Sequence, residues 1–117
     1  MITVNAVYTQ LHNALGCYCT RNYEPVPPSF PCMYFREDHF RPRENVNIAN
    51  TDNVRNSTVH IELYAKSEMQ DLIDTVETTM RGMHYIEDSC IQIDNADISI
   101  QRYSLTFSRI ICEEDTL

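Results

Sequence analysis

The sequence predicts an α+β domain: a largely antiparallel sheet of four to five strands with two helices packed on one face. Two observations carry this. Only two segments have a helical apolar period, and each has a single apolar stripe, so each must cover a sheet. The strand-like segments between them are not spaced by regular helices, which disfavours a parallel α/β architecture. The order reads helix, strand, strand, long loop, strand, helix, strand, strand, within one domain spanning residues 1–117. A hydrophobic content of 43% with 22% charged residues is ordinary for a globular chain and argues against disorder throughout.

Each element has its own signature. Val4, Val7, Leu11, Ala14 and Leu15 recur at helical spacing, with Thr3 as a possible N-cap and Gly16 at the C′ position. Cys17 to Thr20 is a short strand candidate, and the proline-rich run Pro25 to Pro31 is an extended connector. In Cys32 to Phe40, Met33 and Phe35 alternate with Tyr34 and Arg36. Residues 41–57 are polar, with five asparagines and three large aliphatic residues, and are expected to form a long loop. Thr58 to Ala65 is the clearest strand: Val59, Ile61, Leu63 and Ala65 share one face. The second helix has Ser67 and Gln70 as a capping box, Met69, Leu72, Ile73, Val76 and Met80 as its stripe, and Gly82 as its stop. That stripe should bury against Val59, Ile61 and Leu63. Ile86 to Ile93 and Ile98 to Cys112 supply the last two strands, before a frayed acidic tail at Glu113-Glu114-Asp115.

Composition narrows the function. A net charge of −8 argues against specific nucleic-acid binding, because neutralising phosphates needs a basic surface. Two glycines, Gly16 and Gly82, cannot build a phosphate cradle of the G-x-G-x-x-G or P-loop kind. The absence of an apolar run of about 18 residues argues against a membrane span. Met1-Ile2-Thr3-Val4-Asn5 does not resemble a signal peptide, so synthesis in a cytoplasm is expected. Lys66 is the single lysine against eight arginines, a bias that suits protein interfaces and that base composition of the gene explains equally well.

Residues able to do chemistry are scattered. Cys17-x-Cys19 is the one close cysteine pair, and its spacing is not that of zinc knuckles or redox C-x-x-C motifs. The simpler reading makes both small buried hydrophobes. His12, His39, His60 and His84 form no H-x-x-x-H pair. Glu37-Asp38-His39 resembles acid–base machinery, but its place at a strand end favours solvated charges. Asn56-Ser57-Thr58 matches a glycosylation sequon and Pro28-Ser29-Phe30-Pro31 a P-x-x-P core, and neither has a supporting context. The expectation is therefore no catalytic residue, no metal and no cofactor.

The element order, with Phe30-Pro31-Cys32-Met33-Tyr34-Phe35 entering a strand, Val59 to Ala65 running into the acidic helix Ser67 to Arg81, and Arg102-Tyr103-Ser104-Leu105-Thr106-Phe107 at the close, resembles the tail terminator family of tailed bacteriophages. That family is also described as minor capsid or tail-to-head joining proteins. The resemblance implies a virion protein, assembled in the host bacterial cytoplasm. It implies a homohexameric ring on the head-proximal end of the tail tube, which stops tube polymerisation and meets the head connector or stopper protein. DNA would pass through the lumen, and the family brings no catalytic residues. The alternatives are a connector stopper or adaptor, the terminator of a phage-derived contractile bacteriocin, or a small cytoplasmic enzyme using a Cys–His pair. Within the long loop, Arg41, Arg43 and Arg55 suit carboxylates on a partner, and Val46, Ile48 and Val54 suit burial on docking, so this segment is the candidate partner-binding arm.

Overall fold

In a computed structural model, residues 2, 5–22, 27–40, 54–112, 115 and 117 are described, and the fold is built on one long central strand. Seven elements follow in order: α1 (Ala6–Leu15), β1 (Tyr18–Thr20), β2 (Cys32–Phe40), β3 (Val54–Ala65), α2 (Gln70–Gly82), β4 (Ile86–Ile93) and β5 (Gln101–Cys112). The five strands form one sheet in the order β1-β2-β3-β5-β4. All neighbours are antiparallel except β1 and β2. This is the α+β architecture that the segment order predicts, with both helices on one face.

Strand alternation decides what that face contains. Register pairs Met33 with Leu63, Phe35 with Ile61, Val59 with Phe107 and Ile61 with Leu105, so a single apolar layer crosses three strands. Val7 and Leu11 of α1 and Ile73, Val76 and Met80 of α2 close over it, and all of these side chains are buried. Leu72, expected in the same stripe, is only half-buried at the edge of the core.

Three boundaries differ from expectation. First, β3 begins at Val54, so Val54, Arg55, Asn56 and Ser57 are strand rather than loop. Cys112, Ile111, Ile110 and Arg109 of β5 pair with them in turn, and β2 joins from Asn56 onward. Polar side chains do not prevent this, because two neighbouring ladders satisfy the backbone and Ser57 is hydrogen-bonded. Second, α2 starts at Gln70 with Met69 at its cap and no side-chain capping bond. Met69 is buried at that start, which leaves Ser67 two positions too far out, and Gln70 Nε2 donates to Asp74 Oδ1 at 2.8 Å instead. Third, β5 begins at Gln101 rather than Ile98, whose side chain is almost fully exposed in the β4–β5 connection.

The helix ends follow the known geometries. Gly16 (φ 63) closes α1 through a bond from its N–H to His12 O at 3.0 Å, as its position predicts. Gly82 does not stop α2. His84 takes the left-handed conformation (φ 68), with His84 N donating to Arg81 O and Tyr85 N to Met80 O, both at 3.0 Å. That is a Schellman closure with a histidine where glycine is usual. At its N-terminal end α1 is capped by Asn5, without a side-chain bond, and not by Thr3, which lies outside the described residues with Val4, Glu113 and Glu114. Asp115, expected to be frayed, accepts from Cys112 N at 2.8 Å and pairs with Arg109 Nη2 at 3.2 Å.

Candidate functional site

The helices cover one face of the sheet and leave the other open. The outward residues of β2, β3 and β5 are mostly polar, and their charges are settled internally. Glu62 accepts from Arg102 Nη2 and from the Tyr64 hydroxyl, both at 2.6 Å, while the Arg102 guanidinium lies 5.6 Å from the Tyr64 ring centre. Asp38 lies 3.5 Å from Arg36 and 3.4 Å from His60. Asp38 and Glu62 are the two acids that β2, β3 and β5 direct to this face, so it is close to neutral in a chain of net charge −8.

At the β4–β5 edge the open face becomes apolar. Ile86, Ile91 and Ile110 are 71%, 56% and 63% exposed. Plain alternation would put Ile86 and Ile91 on opposite faces. A bulge at Asp88 shifts the register: Ile86 pairs with Ser108, Glu87 with Phe107, and then Ser89 with Thr106 and Ile91 with Ser104. The inserted residue turns Ile86, Ile91 and Ile93 to the same outward side. Ile110, two residues along β5 from Ser108, joins Ile86 around a shallow depression with Asn56, Thr58 and His84. β4 is also an edge strand with neither lysine nor proline, the residues that commonly protect such edges.

Of the residues singled out as a partner-binding arm, two are described. Arg41, Arg43, Val46 and Ile48 lie outside the described residues. Val54 and Arg55 belong to β3 rather than to a loop. Arg55 Nε donates to His39 Nδ1 at 2.8 Å, and its Nη2 lies 3.5 Å from Ile2 O. Because His39 Nδ1 accepts, His39 Nε2 carries the hydrogen and donates to Glu37 Oε2 at 2.8 Å. The Ser57 hydroxyl donates to the same oxygen at 2.9 Å. Glu37 is therefore not a solvated charge, as its place near a strand end suggested: its side chain is 8% exposed and held by two donors. The reason is that Glu37 shares the inward side of the sheet with Ser57, which the extension of β3 to Val54 brings into the ladder beside it.

Two further clusters are products of the fold. Glu77 of α2 and Glu87 and Cys90 of β4 bring their potential ligand atoms within 4.8 Å of one another. The hydrogen bond that protonated Glu87 gives to Glu77 is the main reason that the Glu87 carboxyl is pushed up to about 7, with loss of solvent and the Glu77 charge adding to it. Cys17 and Cys19 are both half-buried, before and within β1, rather than deep in the core. No spacing in the sequence marks the first cluster, because it joins residues of a helix and the following strand through their packing.

No helix among the described residues is long and apolar enough to cross a membrane. Neither the protein-family models nor the curated proteins contain a match to this chain.

Proposed function

We propose that this chain is a structural assembly protein whose copies associate through the open sheet face, as a homohexameric ring that caps a bacteriophage tail tube and joins it to the head connector. One observation carries the reading: the outward isoleucines of the β4–β5 edge on an otherwise neutral face. Exposed apolar groups rimmed by polar residues mark association surfaces in soluble proteins. The neutrality matters because like-charged copies repel, and a face whose acids are already paired lets two copies of an acidic chain approach. Assignment to the tail terminator family rests on the element order and on the stretches around Phe30 to Phe35, Val59 to Ala65 and Arg102 to Phe107. The surroundings of such a ring would be a virion neck, its partners the tail tube protein and the connector or stopper, and DNA its passing traffic. An enzymatic role for the chain is not part of this reading.

Negative-stain imaging of the purified protein, paired with native mass spectrometry, tests it. The expected result is six-fold rings with a central opening and a mass of six chains. A protein that stays monomeric over a wide concentration range contradicts the reading, and a closed dimer contradicts its ring form.

A further inference from the structure

We propose that Cys17 and Cys19 form a redox-active dithiol that closes to an intrachain disulfide by exchange with low-molecular-weight disulfides of the glutathione class. The juxtaposition behind this is local. The Cys19 thiol folds back and donates to Cys17 O at 3.4 Å, which holds its sulfur beside the Cys17 residue. Cys17 sits in the bend between Gly16 and β1, before strand pairing begins at Tyr18, so its backbone is not locked into the ladder. That freedom matters because a disulfide needs Cα atoms about 4.4–6.8 Å apart, at the short end of what an extended i, i+2 pair spans. Both side chains are half-buried at the β1 edge of the sheet, where a small disulfide can reach them.

The fold also selects the partner. Cys32 is the nearest other cysteine in the sheet, but register pairs it with Tyr18 while Cys19 pairs with Met33, so Cys32 points to the opposite face. It is also buried. Cys112 on β5 and Cys90 on β4 are three and four strands away from β1, more than about 14 Å at ordinary strand spacing. Cys19, two residues from Cys17 and on the opposite side of the sheet from the buried Cys32, is thus the partner that the fold favours. The roles within the pair differ too. A hydrogen bond that the Cys19 thiol can give to the Cys17 thiolate brings Cys17 down to about 7, and the same bond, with burial, pushes Cys19 up. Cys17 supplies the attacking thiolate. It displaces one glutathione thiolate and becomes a mixed disulfide. Cys19 then gives up its proton and attacks the Cys17 sulfur, releasing the second glutathione. Two electrons pass from the cysteine pair to glutathione disulfide, which leaves as two thiols.

Exposure of the intact protein to glutathione disulfide near neutral pH, followed by alkylation and tryptic mapping, tests this. Peptide 1–21 contains both Cys17 and Cys19 and no other cysteine. The expected product is this peptide lacking two hydrogens and carrying no glutathione. In the Cys19→Ser variant the reaction should stop at a stable glutathione adduct on Cys17, and in Cys17→Ser the closed form should disappear. Peptide 1–21 unreacted, or carrying glutathione as its final state in the unsubstituted chain, overturns the proposal. A Cys19→Ser protein that takes up no glutathione at Cys17 overturns it as well.

Discussion

The hydroxyls of Ser57 and Tyr85 lie 2.8 Å apart in the core, where Ser57 is fully buried. Ser57 has one proton, which it gives to Glu37 Oε2, so the Tyr85 hydroxyl must donate to Ser57. Burial pushes the Tyr85 phenol up, in keeping with a donor role. With His39 and Arg55, these residues tie the start of β3 to the end of β2 and to the entry of β4. Arg109 extends the tie: its guanidinium lies 5.7 Å from the Tyr85 ring centre, and its Nη1 donates to Met83 O at 2.7 Å.

Ser57→Ala should therefore destabilise the fold by about 1–3 kcal/mol, because it leaves the Glu37 oxygen and the Tyr85 hydroxyl each short of a buried partner. Tyr85→Phe should cost less, about 0.5–1.5 kcal/mol, since Ser57 keeps Glu37. Urea unfolding checks both. Equal midpoints for Ser57→Ala and the unsubstituted protein would show that water replaces the hydroxyl.

Packing under α2 makes an unequal pair of predictions. Met80 is fully buried, so Met80→Ala should cost about 2–5 kcal/mol. Leu72 is half-buried at the edge of the same core, and Leu72→Ala should cost clearly less. Denaturant midpoints for the two variants give the order.

The end of α2 offers two stabilising changes. His84 holds φ at 68, which strains an L side chain, so His84→Gly should raise stability by up to about 1 kcal/mol. Gly82 is helical, and an added Cβ would meet no atom within 4 Å, so Gly82→Ala should add about 0.5–1 kcal/mol. Thermal unfolding of each variant checks the sign.

The Glu77–Glu87 contact makes stability depend on pH. Glu87 is pushed up from its ordinary 4.5 to about 7, so between these values the folded chain holds a proton that the unfolded chain has released. Its stabilising contribution is full below pH 4.5 and is lost as pH rises through about 7. Melting temperature should fall across that interval by more in the unsubstituted protein than in Glu87→Gln, which keeps the hydrogen bond without the titration. Parallel curves for the two proteins would remove the effect.

How much of this was legible in the sequence depends on how local the determinant is. The alternation of Val59, Ile61 and Leu63, the stripe from Met69 to Met80 and the limits of β4 are short-range patterns, and they place the core. The start of β3 is not local, because Val54 pairs with Cys112 and nothing near Val54 announces it. The burial of Glu37 depends on Ser57 and His39 meeting it across two strands. The outward face of β4 depends on a bulge at Asp88, and no glycine marks that bulge in the sequence. Plain alternation would therefore have split its isoleucines between the two faces. The length of residues 41–57 points to a partner-binding arm there, whereas the apolar patch is assembled from β4 and β5.

The central question is whether that patch holds copies of the chain together. Sedimentation velocity of the unsubstituted protein and of Ile91→Asp, at matched concentration, measures it. Ile91 is outward and pairs with Ser104, so the substitution should leave far-ultraviolet dichroism and melting of the isolated chain almost unchanged. The expected result is an oligomer for the unsubstituted protein and a monomer for Ile91→Asp. An unsubstituted protein that sediments as a monomer, or an Ile91→Asp protein that keeps the same oligomer, contradicts it.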